Sequence, residues 1–410
     1  MKEVKTKNMK CLVKIYDTNQ INNLVSILAF KPQTAIFLYD KNKKRENLEY
    51  LEKACIENLP NLNFEFYAID IQNLDSIKKT CRKIIKSNFE CAFDITGGDE
   101  LSVIGAYLAC ADSSIPIFKL DLESGKFINV AQSELLSNEF NLPILNLKTI
   151  LMSKGATLEN GLHPTPDEKQ FGSILSFCDK IFKNIDLWKE LCSYIQFGMK
   201  DCGSVHKELK FDCIKEINDI KSKLPQGSEI ILEYAAELGL IKDLKLSDER
   251  VSFQFFNENI KRYMVDFGSW LELYTYISLV KSGLFNDIKM SAQIIWGGIK
   301  ENRELKENKG SSVENEIDVS FFHGITPVFV SCKISCPDSE AIQELDVYSN
   351  YFGGKSSKCI LVTTSDVKEE SPRVLKRAKE MGIEICDYFC IISGKLVEKI
   401  QKILQYYTKK

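Results

Sequence analysis

Apolar residues follow two different periods along the first third of the chain. Short apolar runs, as expected for buried strands, alternate with segments in which apolar residues recur every three or four positions, as expected for helices. The predicted strands are 10–16, 34–39, 63–69, 91–95 and 115–120, and the predicted helices are 19–29, 45–57, 74–86 and 99–111. Strands separated by helices of this length favour a parallel sheet covered on both faces. Residues 1–140 are therefore predicted to form a Rossmann-like α/β domain.

Residues 141–262 follow a mostly helical pattern that ends in a predicted hairpin. The helical segments and the two strands of the hairpin are 171–185, 187–197, 242–246 and 251–256. Helices followed by a two-stranded wing predict a winged-helix-like helical module. Such a module either binds DNA or acts as a spacer that transmits dimer geometry. The spacer is favoured, because the helices carry no dense row of lysine and arginine to contact phosphates.

The last third, 263–410, has the order helix, three strands, helix, strand. Glu316 and Asp318 lie two apart on one predicted strand, and Ser331 and Lys333 lie two apart on the next. Residues two apart on a strand share a face. Carboxylates beside a lysine on paired strands suit a divalent metal and an activated water. Gln343 and Tyr348 on the following helix are interpreted as a surface residue and a core residue.

Two loops follow strands of the N-terminal sheet, 17–20 and 96–99. In an open α/β sheet ligands bind beyond the C-terminal strand ends. The adjacent glycines Gly97 and Gly98 allow backbone N–H groups to approach a phosphate or a ribose, and the next helix adds positive charge from its N-terminus. The alternative is a plain turn with Asp99 as the helix N-cap. The chain has no G-x-G-x-x-G and no Walker A motif, which disfavours ordinary NAD or ATP binding.

Composition narrows the class of protein. The 410 residues carry a net charge of −3, so nucleic-acid binding would depend on local basic patches. No apolar run reaches the roughly 18 residues that span a bilayer, and the lysine-rich start is not followed by the apolar core of a signal peptide. Fourteen cysteines without a Cys-x-x-Cys pair indicate buried thiols in a reducing cytoplasm, and three histidines make a histidine-rich zinc site improbable. We therefore expect a cytoplasmic protein with no membrane partner.

Two segments of the N-terminal third resemble CARF domains, the CRISPR-associated Rossmann fold. Residues 23–32 resemble the opening of these domains, and 94–102, Asp-Ile-Thr-Gly-Gly-Asp-Glu-Leu-Ser, resemble their second ligand-binding motif. CARF domains dimerise and bind a cyclic oligoadenylate across the two-fold axis. The chain has Asp99-Glu100 where the family often has Thr-Lys, which removes a cation from the anion site. The resemblance implies that six residues lie near the ligand: Thr18, Asn19, Gln20, Thr96, Gly97 and Gly98.

The C-terminal third resembles PD-(D/E)xK restriction-endonuclease-like nucleases. The residues that carry this resemblance are Gly268-x-Trp270-Leu271-Glu272, Asn315-Glu316-x-Asp318-Val319 and Ser331-Cys332-Lys333. The chain departs from the motif at Ser331, where the family has Asp or Glu. The resemblance implies a Mn²⁺ or Mg²⁺ site with Asp318 as central ligand and Lys333 positioning the attacking water. The remaining implied ligands are Glu272, directly or through water, the backbone carbonyl of Cys332, and Glu316 in compensation for Ser331.

With the two segments in this order, the chain resembles the CARF-fused nucleases of type III CRISPR defence. This resemblance implies a homodimeric nuclease that cuts DNA or RNA when cyclic oligoadenylate, most simply cyclic tetra-adenylate, binds. Two alternatives stay open. One is a messenger-sensing DNA-binding regulator with a degenerate nuclease domain. The other is a CARF domain that degrades its own ligand through the hydroxyls of Thr18 and Thr96.

Overall fold

In the part of the chain that it describes, the computed structural model contains three β-sheets with helices packed on their faces. The residues that it describes are 9–43, 45–88, 90–111, 113, 115–131, 142–161, 163–201, 209–214, 223–247, 249–296 and 314–408.

The N-terminal sheet has the alternating order that the sequence predicts. Its elements are β1 (Cys11–Ile15), α1 (Gln20–Phe30), β2 (Thr34–Asp40), α2 (Glu46–Asn58), β3 (Asn63–Ile69), α3 (Leu74–Ser87), β4 (Cys91–Asp94), α4 (Glu100–Ala111), β5 (Ile117–Asp121) and β6 (Lys126–Ala131). The strand order is β3-β2-β1-β4-β5-β6, and only β6 runs antiparallel to its neighbour. The order reverses between β1 and β4. The loops that follow these two strands therefore meet at the point where open α/β sheets bind ligands.

The central segment combines helices with a small antiparallel sheet. It contains α5 (Leu147–Met152), β7 (Ala156–Asn160), a 3₁₀ turn (Glu168–Gln170), α6 (Phe171–Phe182), α7 (Ile185–Asp201), β8 (Lys210–Ile214), α8 (Glu229–Glu237), β9 (Ile241–Leu246), β10 (Arg250–Phe255) and α9 (Glu258–Val265). The sheet order is β8-β10-β9, and the hairpin expected across 247–250 joins β9 to β10. A winged-helix function for this segment stays a prediction.

The C-terminal sheet has six strands. Its further elements are α10 (Ser269–Ser282), β11 (Asn286–Trp296), β12 (Glu314–His323), β13 (Thr326–Lys333), α11 (Ser339–Tyr348), a π-helical turn (Ser349–Gly353), a 3₁₀ turn (Gly354–Ser356), β14 (Lys358–Thr363), α12 (Val367–Glu370), α13 (Pro372–Glu380), β15 (Ile383–Cys386), α14 (Tyr388–Ile392) and α15 (Leu396–Thr408). The order is β15-β14-β13-β12-β11-β7, parallel from β15 to β13 and antiparallel from β13 to β7.

One strand lies outside the domain boundaries expected from sequence. Residues 156–160, expected in the helical module 141–262, form β7 and pair with β11 from Ala156↔Trp296 to Asn160↔Ala292. The C-terminal sheet is therefore built from two separate parts of the chain. Only Ala156 and Leu158 are apolar in this segment, too few to mark a strand by their periodicity, which explains the different expectation.

The two faces of the C-terminal sheet belong to two hydrophobic cores. On one face, Val319, Val330 and Cys332 pack with α10 and with the helices of the central segment. On the other face, Phe329 and Leu361 share a core with α11 and with the N-terminal sheet. The N-terminal and C-terminal parts are therefore joined by buried apolar side chains, so a change in one can reach the other through packing. No described helix has the length and apolarity needed to cross a membrane.

Candidate functional site

The strands β12 and β13 separate at the centre of the C-terminal sheet. Their pairing runs from His323↔Thr326 to Val319↔Val330. Beyond that point β12 pairs only with β11, on its other side, and β13 continues beside β14 with Ser331↔Leu361. The two strands therefore form a fork. From Ser331 onward, the backbone N–H and C=O groups of β13 that point away from β14 have no partner strand among those that the structure describes.

Asp318 lies at the mouth of this fork. Its Oδ2 accepts a hydrogen bond from the Cys332 N–H at 2.6 Å and one from the Ser331 hydroxyl at 3.3 Å. A side chain thus replaces the backbone partner that β13 lacks here. The N–H and C=O of a strand residue lie on the same edge, so the carbonyl of Cys332 also opens toward the fork. The sequence-predicted trio Asp318, Ser331 and Cys332 is therefore brought together.

Glu272 lies on α10, close enough to Asp318 and Lys333 for their charges to change its pKa. Burial, reinforced by Asp318, Asp266 and Glu316, raises the pKa of Glu272 to about 9, and Lys333 opposes the rise. Burial also raises the pKa of Asp318 to about 6, against the lowering effect of the Cys332 N–H and of Lys333; Glu344 contributes to the rise. Carboxylates that share a poorly solvated space repel one another. If Glu272 and Asp318 were both ionised, their negative charge would exceed the single positive charge of Lys333.

Glu316 is held on the β11 side of the fork. Its carboxylate accepts a hydrogen bond from the Ser291 hydroxyl, and Ser291 has the left-handed backbone conformation, with φ 49°. The backbone N–H of His163 donates to the same hydroxyl at 3.3 Å. Glu316 is close enough to raise the pKa of Glu272. Its predicted role as a compensating metal ligand stays a prediction.

Lys333 lies at the end of β13 beside an open cavity of about 480 Å³. Its Nζ is 3.9 Å from Oε2 of Glu344 on α11, and its side chain is 38% exposed. The cavity is also lined by Ser335, Cys336 and Asp338. A phosphate group can therefore approach the lysine from solvent.

The donor set fits a hard divalent cation. Mg²⁺ is commonly held by one or two carboxylates and keeps several waters, and Asp318, Glu272 and the Cys332 carbonyl offer such oxygens. Among the described residues, no group of three or more histidine, cysteine, aspartate or glutamate side chains is close enough to hold a metal ion. Water and the backbone carbonyl would therefore have to complete the coordination.

Tyr348 was interpreted from sequence as a core residue and Gln343 as a surface residue. Tyr348 is 2% exposed, and Gln343 lies on the surface. The Tyr348 hydroxyl, however, lies 2.6 Å from Oε1 of Glu344 and also contacts the backbone carbonyl of Glu316. Sequence reasoning missed this polar contact, because an apolar stripe that contains a tyrosine does not reveal what its hydroxyl reaches.

The second predicted site, formed by the loops after β1 and β4, lies at the C-terminal ends of the strands β1 to β4. A cavity of about 210 Å³ is lined there by Tyr16, Asp17, Thr18, Lys43 and Gly98, among others. Thr18 and Gly98 were predicted from sequence. Tyr16 and Lys43 were missed, although a polar turn at the C-terminal end of a strand is a signal that could have found Lys43, three residues after β2.

Asp17 organises the two loops around this cavity. Its carboxylate accepts from the backbone N–H of Asn19 at 2.7 Å and from that of Gly98 at 2.9 Å. A Cβ on Gly97 would lie 2.7 Å from the Asp17 side chain, which explains the need for glycine. Two amides that a ligand phosphate could use are thus bound to the protein's own carboxylate.

Thr96 and Gln20 are engaged within the protein. The Thr96 hydroxyl contacts Asp94 and accepts from the Leu120 N–H at 2.8 Å. Gln20 Nε2 donates to the Tyr16 hydroxyl at 3.3 Å, and its side-chain oxygen accepts from Asn23 at 3.0 Å. That the side chains of Thr96 and Gln20 contact a ligand stays a prediction.

A buried ion pair supports the 96–98 loop from below. Lys14 in β1 contacts Asp94 at the end of β4, and their side chains are 2% and 0% exposed. Ser26 of α1 contacts both partners, while the other oxygen of Asp94 accepts from the Thr96 N–H at 2.9 Å. The loop position therefore depends on a charge pair that water does not reach.

The two sites are connected by a close contact. Asn19 caps α1 by accepting from the Ile21 N–H at 3.2 Å. A Cβ on Gly354 would lie 3.1 Å from Nδ2 of Asn19, and Gly354 has φ 56° and ψ −153°. Gly354 follows the π-helical turn that extends α11, the helix that carries Glu344 and Tyr348. The loop of one site therefore touches the chain segment that leads to the other.

Comparisons with known proteins agree with this architecture at the level of the fold. No protein-family model matches the chain, and comparison with the curated proteins finds no match. Among solved structures, protein VC1899 from Vibrio cholerae has a TM-score of 0.75 at 16% identity, over 97% of this chain and 98% of that one. Can2 from Sulfobacillus thermosulfidooxidans, in complex with cyclic tetra-adenylate, has a TM-score of 0.65 at 15% identity, over 95% and 97%.

A third similar structure is a type III CRISPR defence DNA nuclease activated by cyclic oligoadenylate. Its TM-score is 0.50 at 14% identity, over 87% of this chain and 45% of that one. At these identities the similarity is one of fold. The chain thus shares its α/β fold, over nearly its whole length, with a Can2 protein that binds cyclic tetra-adenylate.

Proposed function

We propose that the protein is a metal-dependent nuclease that cuts DNA or RNA and is activated by a cyclic oligoadenylate, with cyclic tetra-adenylate as the first candidate. The observation that carries the proposal is the fork-held Asp318 with Glu272 and Lys333 around it. A purely structural strand pair has no reason to bury carboxylates so close together. The fold shared with a Can2 protein that binds cyclic tetra-adenylate supports the messenger.

The chemistry follows from the positions of the side chains. Asp318, Glu272 and the Cys332 carbonyl would hold Mn²⁺ or Mg²⁺, which supplies positive charge to the phosphate and acidifies a bound water. Lys333, at the edge of the open cavity, donates hydrogen bonds to the attacking water or to the charged phosphate oxygens in the transition state. Ser331 donates to Asp318 and so keeps one carboxylate oxygen oriented.

Activation would depend on the loops around Asp17. A messenger phosphate that competes for the amides of Asn19 and Gly98 has to displace the Asp17 carboxylate, and the adjacent Lys43 offers a cation. Movement of Asn19 would press on Gly354 and so on α11. A ligand shifts such an equilibrium only by its differential affinity for the two states. A homodimer with the messenger on its two-fold axis suits a symmetric ring.

The decisive experiment is a cleavage assay on plasmid, single-stranded DNA and RNA with Mn²⁺, with and without cyclic tetra-adenylate. We expect messenger-stimulated cleavage that Asp318→Ala and Lys333→Ala each reduce by at least about 10³-fold, because each removes a group that acts on the transition state. If both single variants cleaved nucleic acid as fast as the wild type, the assignment of the site would be refuted.

Ser331 favours a second candidate, a messenger-sensing DNA-binding regulator whose nuclease centre is degenerate. A hydroxyl is a poorer ligand for a divalent cation than a carboxylate. This candidate predicts tight, sequence-specific DNA binding and no cleavage with any metal, so the same assay combined with a DNA-binding titration separates the two.

Gly354→Ala is expected to uncouple the two sites. The added Cβ requires a strained backbone conformation and presses on Asn19. We expect the stimulation of cleavage by the messenger to fall by about tenfold, equivalent to about 1.4 kcal/mol of coupling free energy. The measurement is the ratio of cleavage rates with and without cyclic tetra-adenylate.

Gly382→Ala is the matched control, because Gly382 also has a positive φ, 69°, but a Cβ there meets nothing within 4 Å. Equal loss of stimulation in both variants would attribute the effect to backbone strain alone.

A further inference from the structure

A histidine beyond the end of β7 is anchored to the C-terminal sheet by its backbone. His163 follows β7 by three residues, and its N–H donates a hydrogen bond to the Ser291 hydroxyl of β11 at 3.3 Å. A Cβ on Gly161 would lie 1.9 Å from the backbone oxygen of Ser291, so this close approach requires glycine. On the other side, the carbonyl of Pro164 accepts a hydrogen bond from the buried hydroxyl of Tyr263. The chain is therefore fixed before and after His163.

The His163 ring is oriented by an aspartate. Its Nε2 lies 2.8 Å from Oδ2 of Asp266, and the side chain is 16% exposed. In the described part of the chain, Nδ1 is buried without a hydrogen-bond partner, so the contact with Asp266 sets the direction of the ring. Burial alone would raise the pKa of Asp266, but the hydrogen bonds from His163 and from the Gly268 N–H bring it below its usual value. A hydrogen bond to an ionised carboxylate is stronger than one between neutral groups.

Asp266 connects His163 to the start of α10. Its second oxygen, Oδ1, accepts a hydrogen bond from the Gly268 N–H at 3.1 Å. Gly268 is the N-cap of α10 and has no side chain with which to cap the helix. Glu272 lies in the first turn of this helix, and Asp266 is close enough to contribute to the rise of its pKa. The position of Asp266 therefore fixes where the helix that carries Glu272 begins.

We propose that His163 is a positioning residue of the metal centre, because through Asp266 it sets the place of Glu272 relative to the sheet. This inference rests on the proposed function, in which Glu272 is a metal ligand. Asp318 lies on the sheet and Glu272 lies on a helix packed against the sheet, so the distance between these ligands depends on how the helix is held. His163 belongs to the sheet and Asp266 to the helix start, and their contact joins the two parts of the centre.

The test is a Mn²⁺ titration followed by electron paramagnetic resonance, which needs no catalysis. His163→Ala removes the contact with Asp266 and is expected to weaken Mn²⁺ binding by about tenfold, the lower end of the range for residues that support metal ligands. His163→Gln should bind Mn²⁺ nearly as well as the wild type, because the glutamine amide nitrogen can donate from the place of Nε2. His163→Asn is too short to reach Asp266 and should lose about as much as His163→Ala.

His323→Ala is the matched control. His323 is a half-buried histidine of the same sheet and pairs with Thr326, at the end of the hairpin away from the fork. This variant should keep the wild-type affinity, and a loss equal to that of His163→Ala would overturn the inference. Urea denaturation confirms that each variant is folded in the titration. If His163→Ala does not fold, the comparison of His163→Gln with His163→Asn decides, since these variants differ by one methylene group.

A double variant tests whether the histidine acts through the aspartate. Two residues that act through one contact do not add their effects. His163→Ala combined with Asp266→Ala is therefore expected to bind Mn²⁺ about as weakly as Asp266→Ala alone. Losses that add would overturn the proposed connection.

The outcomes separate this inference from the proposed function. Wild-type Mn²⁺ affinity in His163→Ala and His163→Asn, together with a large loss in Asp318→Ala, overturns the role of His163 and leaves the nuclease proposal standing. The same holds if His163→Gln binds as weakly as His163→Asn, because the donor to Asp266 would then not matter. A wild-type protein that neither binds Mn²⁺ nor cleaves nucleic acid overturns both.

Discussion

Lys14→Met is expected to lower the free energy of unfolding by about 3–5 kcal/mol, because it leaves Asp94 buried without its cation. Methionine keeps most of the volume of the lysine side chain, so packing changes little. The loop that contains Thr96, Gly97 and Gly98 depends on Asp94, and messenger binding should therefore weaken as well. Urea denaturation at constant pH gives the stability, and calorimetric titration with cyclic tetra-adenylate gives the binding.

Two further variants test the cause. Lys10→Met breaks the ion pair of Lys10 with Glu90, whose side chains are 61% and 63% exposed, and should cost less than about 1 kcal/mol. Adding Asp94→Asn to Lys14→Met removes the uncompensated charge and should recover part of the loss. If Lys14→Met were no more damaging than Lys10→Met, the buried pair would not support the fold.

Glu272→Gln is expected to stabilise the metal-free protein relative to the wild type, by an amount that grows as the pH rises from about 5 to about 8. The pKa of Glu272 is raised to about 9 by burial and by neighbouring carboxylates. Between its ordinary pKa and this raised value the folded protein binds more protons than the unfolded chain, so the free energy of unfolding of the wild type falls as pH rises. The slope for one such group approaches about 1.4 kcal/mol per pH unit. Because glutamine does not ionise, the free energy of unfolding of the variant should depend less on pH than that of the wild type.

The measurement is chemical denaturation from about pH 5 to about pH 8 in the presence of a chelator, chosen to lie within the window that the pKa of Glu272 defines. Glu233→Gln, an exposed glutamate on α8, serves as the control and should leave the slope unchanged. Saturating Mn²⁺ should reverse the trend in the wild type, because the cation stabilises the ionised carboxylates. A wild-type slope that is flat without metal would mean that Glu272 is not held among repelling charges.

The alternation of strands and helices in the N-terminal part is predictable, because short apolar runs and segments with helical spacing follow one another there several times. The hairpin of β12 and β13 is also predictable from the short turn between them, but the separation of the two strands at Asp318 and Ser331 is not. Side-chain contacts between segments that are distant in sequence cannot be predicted in this way. Asp17 meets Gly98 across 81 positions, and no periodicity links them.

Lys14 illustrates a signal that could be read only in part. A lysine inside an otherwise apolar parallel strand has to find a buried partner, but the sequence does not say which acid provides it. Glu344 illustrates the opposite case. An acidic residue on an amphipathic helix looks like an ordinary solvated side chain, and its position 3.9 Å from Lys333 becomes visible only in the structure.

The position of β7 limits how this protein can be divided. Residues 156–160 complete the C-terminal sheet from a distant part of the chain, so a fragment that starts at residue 263 would carry β11 with its backbone donors and acceptors bare. Such an unprotected border invites self-association. A soluble catalytic fragment would need the earlier strand grafted back, or supplied as a separate peptide.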